Sequence, residues 1–182
     1  MTEKEIIAGC LKKDAACQRL LFDLYSRKLM SICLRYAGSS PEAEDMLQDS
    51  FIRIFTSIHQ FRFEGSFEGW LKKITVNTCL GKFQKLKIRY DDISNLETDQ
   101  FFVEPETVSS LNEKDLTRMI ASLPEGYRII FNLSVIEGYS HEEIASLLNI
   151  QAVTSRSQLM KARRMLQQQL STQKKMTLKH EG

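Results

Sequence analysis

Residues 139–170 read YSHEEIASLLNIQAVTSRSQLMKARRMLQQQL, the pattern of two short helices about a tight turn. Ser140 stands as an N-cap with Glu143 three residues on, a capping box in which each side chain satisfies an orphan backbone N–H. Ile144, Leu147 and Leu148 then form one apolar face. Asn149 follows, the residue that, after glycine, most readily takes the left-handed conformation that stops a helix, and Ile150 can pack beneath the turn. The second helix, from about Ala152, is predicted to turn Val153, Leu159, Ala162, Leu166 and Leu170 inward. That leaves Arg156, Ser157, Gln158, Lys161, Arg163 and Arg164 as a basic surface. Two helices, a tight turn and a basic second helix suit insertion into a DNA major groove, where arginine and lysine pair with guanine edges or phosphates. A helical hairpin with a solvated basic face fits the same residues.

The charge of the 182-residue chain is unevenly placed. Residues 1–61 balance at 8 basic and 8 acidic, and 62–90 carry 7 basic against 2 acidic. Residues 91–115 hold 8 acidic against 1 basic, residues 116–150 hold 4 against 2, and 151–182 return to 7 basic against 1 acidic. A net charge of +2 therefore conceals two basic blocks separated by an acidic one. Few glycines and prolines and long stretches of helical periodicity predict an all-α protein of two small helical domains joined by an acidic linker. No apolar run is long enough to cross a membrane, and MTEKEII lacks the features of a signal peptide, so a cytoplasmic protein is expected. Cys10, Cys17, Cys33 and Cys79 form no CxxC pair and sit among apolar neighbours, so they are read as small hydrophobes, with no metal site.

Along the chain, a short helix over 3–12 and a longer one over 14–36 carry ordinary core periodicity. Ser40 with Pro41 marks a new start. The following helix has Ala43, Met46, Leu47, Phe51, Ile54, Phe55 and Ile58 as its apolar stripe, and Asp45, Gln48, Asp49 and Arg53 lie on its outer, polar face. Next comes a loop with Phe61, Phe63 and Phe67 around Arg62, Glu64, Gly65 and Ser66. Aromatics in a Gly/Ser loop beside basic residues suggest a platform for an unstacked base; the same phenylalanines could instead fold into the core. Ser66 is expected to cap a helix with Phe67, Trp70, Leu71, Ile74 and Thr78 on one side and Lys72, Lys73 and Asn77 off that stripe. Residues 91–115 lose the helical period and read as a linker. Helix resumes from Leu116, breaks at Leu123-Pro124-Glu125-Gly126, and is predicted again over 127–137 until Gly138. Residues 173–182 read as a frayed, flexible tail.

In this order the chain resembles the extracytoplasmic-function (ECF) sigma factors, two-domain sigma subunits of bacterial RNA polymerase. The strings are PEAEDMLQDSFIRIF at 41–55, FEGSFEGWLKKITVNTCL at 63–80, LPEGYRIIFNLSVIEGYSHEEIASLLNI at 123–150 and TSRSQLMKARRML at 154–166. LPEGYR through SRSQL is most similar to Bacteroidetes versions. The resemblance implies sigma region 2 over 1–90 and region 4 over 116–172. It implies that Asp45, Gln48, Asp49 and Arg53 dock on the polymerase β′ clamp helices, with the β flap a further polymerase contact. It implies that Phe63, Glu64, Gly65, Ser66, Phe67, Trp70, Lys73 and Asn77 capture a flipped −10 base and help open the duplex. Arg156, Ser157, Met160 and Lys161 would face the −35 element, with Thr154 and Arg163 on phosphates. An anti-sigma factor is the expected regulator. The family usually has Ser or Pro at the place of Gln151 and Gly at that of Val153, so the recognition helix is predicted to start without a standard N-cap. Gly81 replaces a more usual polar residue and is expected to end or bend its helix.

A stand-alone helix-turn-helix regulator is the main alternative, and the FEGSFEGW loop discriminates against it, because duplex binding needs no aromatic single-strand platform. An enzyme is not expected. His59, His141 and His180 are the only histidines, His141-Glu142 lacks the second histidine a zinc protease helix needs, and no P-loop, dinucleotide fingerprint or nucleophile elbow is present. No cofactor is implied.

Overall fold

The computed structural model of the chain describes residues 1–87 and 113–180; every element among them is helical, and the chain divides into two compact units, Met1–Leu86 and Lys87–Gly182. The acidic stretch read as a linker falls on 91–115, nearly all of it outside the described residues.

The first unit contains α1 (Glu3–Leu11), α2 (Ala15–Tyr36), α3 (Ser40–Ser57), a 3-10 turn (Ile58–Gln60) and α4 (Phe67–Lys87). Side-chain caps set the starts. Thr2 and Glu5 form a capping box ahead of α1, and Cys17 N–H donates to Asp14 Oδ1 at 2.8 Å ahead of α2. Before α3 the cap is Ser39, one residue earlier than Ser40, with Glu42 N–H donating to its Oγ at 3.4 Å. Pro41 then lies in the first turn, where its missing N–H costs nothing. Leu21, Leu29, Cys33, Ala43, Ile54 and Leu71 have no exposed surface and form the centre of the unit. α1 approaches α2 so closely that a Cβ on Gly9 would lie 2.1 Å from Cys17 Sγ, so glycine is required there. All four cysteines are free and buried, as their apolar surroundings predict. Cys33 and Cys79 hydrogen-bond one another, which lowers the pKa of Cys33 and raises that of Cys79. Gly81 does not end α4, which runs on to Lys87. Its bare backbone packs beside Arg53, whose Nη2 would stand 3.7 Å from a Cβ at 81, and one glycine in a 21-residue helix costs only about 1 kcal/mol.

The second unit contains α5 (Glu113–Ala121), α6 (Glu125–Phe131), a π turn (Asn132–Ile136), α7 (His141–Leu148) and α8 (Ala152–His180). Met119, Leu123, Ala162 and Leu166 form a core cluster on which Tyr127, Phe131, Met165 and Leu170 pack. Arg128 is buried against the C-terminal end of α5, where its Nη1 donates to the carbonyls of Ala121 at 2.8 Å and Leu123 at 3.1 Å. A cation there meets the negative end of the helix dipole as well as two orphan acceptors. The helix predicted over 127–137 is α6 followed by the π turn, after which Gly138, at φ 79°, reverses the chain and Tyr139 N–H donates to Leu133 O at 2.9 Å.

Two expectations for α8 are corrected. Val153, predicted inward, is 67% exposed, because the buried register is Ser155, Leu159, Ala162 and Leu166, and Val153 lies about half a turn off it. The helix also continues beyond residue 172 to His180, and no glycine or proline between 152 and 180 interrupts it.

Candidate nucleic-acid interface

The loop ahead of α4 is built on a chain of rings. Phe63 packs on Phe61 with centroids 4.9 Å apart; Phe61 packs on Phe67 at 5.0 Å and Trp70 at 5.6 Å, and Phe67 and Trp70 are stacked within 15° of parallel at 5.8 Å. Depth divides these residues. Phe67 is only 2% exposed and also meets Tyr25 edge-on, so it belongs to the core and supports the surface rings without offering a face of its own. Phe61 and Trp70 are half-buried, and Phe63 is 53% exposed. Phe63 is held at φ 58°, a conformation costing a bulky side chain on the order of 1 kcal/mol or more. Gly65, at φ 107°, then lets the chain turn back into α4, and Gly69 N–H donates to Ser66 Oγ at 3.3 Å, the cap read from the sequence. An exposed aryl face on a packed base is what stacking on an unpaired base requires.

Glu64, Gly65 and Ser66 lie exposed beside Phe63, and Lys72, Lys73 and Asn77 lie exposed along α4. Lys72 is not equivalent to Lys73: its Nζ is 2.8 Å from Glu68, which also accepts from Lys28 Nζ at 2.6 Å. These two lysines, Lys28 foremost, lower the Glu68 pKa to about 2. On α3, Asp45, Gln48 and Arg53 are exposed, whereas Asp49 is half-buried and pairs with Lys82 of α4 at 3.2 Å. Ile52, 61% exposed among them, was missed by sequence reasoning; the available signal was an isoleucine off the buried stripe of Phe51, Ile54 and Ile58.

In the second unit the capping box of Ser140 and Glu143 is present, with Ser140 N–H donating to Glu143 Oε2 at 2.8 Å, and this capping lowers the Glu143 pKa. Asn149 stops α7 in the left-handed region at φ 52° and ψ 51°. Despite Gln151 at the cap position, α8 starts at Ala152, with Ser155 N–H donating to the Gln151 carbonyl at 3.1 Å. Arg156, Met160 and Arg163 are exposed, and Thr154, Ser157 and Lys161 are half-buried, so the six predicted positions lie together on the first three turns of α8. Sequence reasoning overlooked what binds α8 to α7: His141 Nδ1 lies 2.9 Å from Ser155 Oγ, and Arg156 Nη2 donates to Glu142 Oε1 at 2.5 Å. No local spacing signals such pairs, since their partners are 14 residues apart.

Among the described residues no group of three or more His, Cys, Asp or Glu side chains could hold a metal ion, and no helix is long and apolar enough to cross a membrane. A helical unit with an aromatic loop followed by a helix-turn-helix unit defines a two-part helical nucleic-acid-binding protein. Residues 21–87 match Sigma-70 region 2 and residues 113–166 match Sigma-70, region 4. The chain is 29% identical over 182 residues to the ECF RNA polymerase sigma factor SigW of Bacillus subtilis, covering 93% of this chain and 97% of that one. The ECF RNA polymerase sigma-E factor of Haemophilus influenzae is equally similar, at 29% over 182 residues, with 93% and 96% covered. In fold the chain is similar to the sigma factor RpoE of Bartonella quintana, solved with the anti-sigma factor NepR, at a TM-score of 0.51 and 21% identity over 84% of this chain and 96% of that one. The chain therefore carries both Sigma-70 regions and is similar over 93% of its length to ECF sigma factors, transcription initiation factors and not enzymes.

Proposed function

We propose that this ECF sigma factor binds core RNA polymerase and reads a promoter at two places, with the first three turns of α8 on the −35 element and the Phe63 loop on an unpaired −10 base. Residues 1–90 act as region 2 and 116–172 as region 4, joined by the acidic residues 91–115. The observation that carries the reading is Phe63: a large apolar side chain held in the open, in a costly backbone conformation, over a packed aromatic base. Such strain persists only where surrounding structure enforces it, and stacking on a base gives it a use. Phe61 and Trp70 flank the stacking face, Phe67 supports it from below, and Glu64, Gly65 and Ser66 shape its rim. Lys73 and Asn77 lie about one and two turns beyond Trp70 on α4, where they meet the strand backbone. Arg156, Ser157, Met160 and Lys161 face base edges, and Thr154 and Arg163 meet phosphates. Asp45, Gln48 and Arg53, with Ile52 as an apolar contact, dock on the β′ clamp helices; Asp49 acts partly through Lys82. The β flap is the second polymerase contact.

A polymerase partner places the protein in the cytoplasm. An anti-sigma factor of the kind bound to the Bartonella protein covers these surfaces when transcription is off, and the LPEGYR and SRSQL strings favour a Bacteroidetes setting. The test is run-off transcription by core polymerase with and without the protein on a pool of promoter fragments. Protein-dependent start sites sharing two upstream elements are expected. Retention of duplex fragments by the protein alone, without initiation, would overturn the reading in favour of a stand-alone regulator.

A further inference from the structure

Two side-chain bridges tie the first turn of α8 to the first turn of α7 in register. Ser155, which has no exposed surface, meets His141, and one residue further along Arg156 meets Glu142. The inner bridge fixes how the two turns face each other, and the outer one acts on the guanidinium. The side chains of Arg156 and Glu142 are 52% and 66% exposed, and an ion pair this open to water contributes little to stability. Its effect falls instead on the conformations available to Arg156. A long arginine side chain loses much rotamer freedom when it binds a base, and a contact that confines it beforehand removes part of that cost. The guanidinium has five donors in a planar fork, so one N–H given to Glu142 leaves others for guanine O6 and N7.

We propose that Glu142 is a positioning residue that sets promoter specificity by holding Arg156 in the orientation that reads a guanine of the −35 element. This rests on the assignment of Arg156 to the promoter made above. The carboxylate also repels phosphates near the recognition helix, so it weakens binding to any sequence in which Arg156 finds no base partner.

The test uses the full chain assembled with core RNA polymerase on a promoter pool randomised through the −35 element, with base preferences read from the transcripts. Arg156→Ala is expected to abolish a guanine preference at one position. Glu142→Ala should reduce the same preference about five-fold, leave preferences at other positions unchanged, and raise transcription from promoters lacking that guanine. Glu142→Gln, which keeps an acceptor, should fall between, and it carries the test if Glu142→Ala folds poorly. Glu142→Ala placed on Arg156→Ala should change no base preference and only raise transcription from all promoters alike. Equal weakening at every position, or a further change of base preference in the double variant, would show that Glu142 acts through the stability of α7 and would overturn the proposal. Loss of preference in Arg156→Ala with none in either Glu142 variant would sink the role of Glu142 alone. No change in Arg156→Ala would sink the promoter assignment of Arg156 and this proposal together.

Discussion

In the first unit the side chains proposed to meet nucleic acid are continuous with the hydrophobic core, whereas in the second the most exposed of them stand clear of it. Phe63 rests on Phe61, Phe61 on Phe67, and Phe67 is buried, so the stacking surface is the outermost layer of the packing that folds the unit. On α8 the buried register of Ser155, Leu159, Ala162 and Leu166 holds the helix, and Arg156, Met160 and Arg163 are exposed on the flank beside it. A surface that must displace one base from its neighbours gains from rigidity and desolvation, because stacking is short-ranged. A surface that must tell one base pair from another gains from side chains that can be exchanged without disturbing the fold. The contrast predicts that function and stability are coupled at the first interface and separable at the second.

The largest expected effect is at Phe67, where the comparison is easiest to break. Phe67→Ala should destabilise the first unit by about 3–5 kcal/mol, as truncation of a fully buried aromatic does, and initiation should fall with it. Urea unfolding alongside run-off transcription checks both; full stability with lost initiation would show that Phe67 touches DNA directly. In the second unit Arg128→Met should cost about 3 kcal/mol, since the Ala121 and Leu123 carbonyls lose a charged donor. The −35 base preferences of the molecules that remain folded should be unchanged, and a changed preference would contradict separability. Phe63→Ala sharpens the comparison from the first side. It removes about 1–3 kcal/mol of stacking, a roughly 10- to 100-fold loss of promoter opening, while the melting temperature holds, because the side chain is 53% exposed and alanine keeps the Cβ that makes φ 58° costly. A melting temperature that falls as far as for Phe67→Ala would place Phe63 in the core network and remove the distinction between the two residues.

What could be read from the sequence follows the same division. The helix-turn-helix was legible because its determinants are local: Ser140 with Glu143, Asn149, and apolar residues at helical spacing all lie within one window. The aromatic loop was legible as composition, but not as depth. Phe61, Phe63 and Phe67 look alike in sequence, and tertiary packing makes one a core residue and another a surface residue. Val153 was misassigned because a β-branched apolar side chain at the start of a helix resembles a core position, whereas the inward place belongs to Ser155, whose hydroxyl finds His141. The π turn left no trace in periodicity, since residues 127–137 continue an apolar pattern that a regular helix also satisfies. The pairs Glu142 with Arg156, Asp49 with Lys82 and Lys28 with Glu68 join residues distant in sequence, which no window contains.

The smallest expected effect concerns the last of these pairs and tests whether surface charge belongs to the first interface at all. Lys28 and then Lys72 lower the Glu68 pKa from its ordinary 4.5 to about 2. A carboxylate whose folded pKa is depressed adds stability that is fully present above about pH 4.5 and is lost as the pH falls toward about 2. Glu68→Gln should therefore leave the first unit slightly less stable than the wild type at neutral pH, with the two curves converging across that window. Because Lys28 and Lys72 are 57% and 46% exposed, the difference should shrink in molar salt, where screening is nearly complete. The same substitution frees Lys72 beside Lys73 on the face assigned to the DNA strand, so holoenzyme affinity for promoter fragments should rise and its salt dependence steepen. A stability difference that survives molar salt, with no change in the salt dependence of promoter binding, would mean that Glu68 serves only to join α2 to α4. The first interface would then rest on its aromatic packing without electrostatic adjustment, a sharper contrast with α8, where an exposed glutamate is set directly against the arginine proposed to meet DNA.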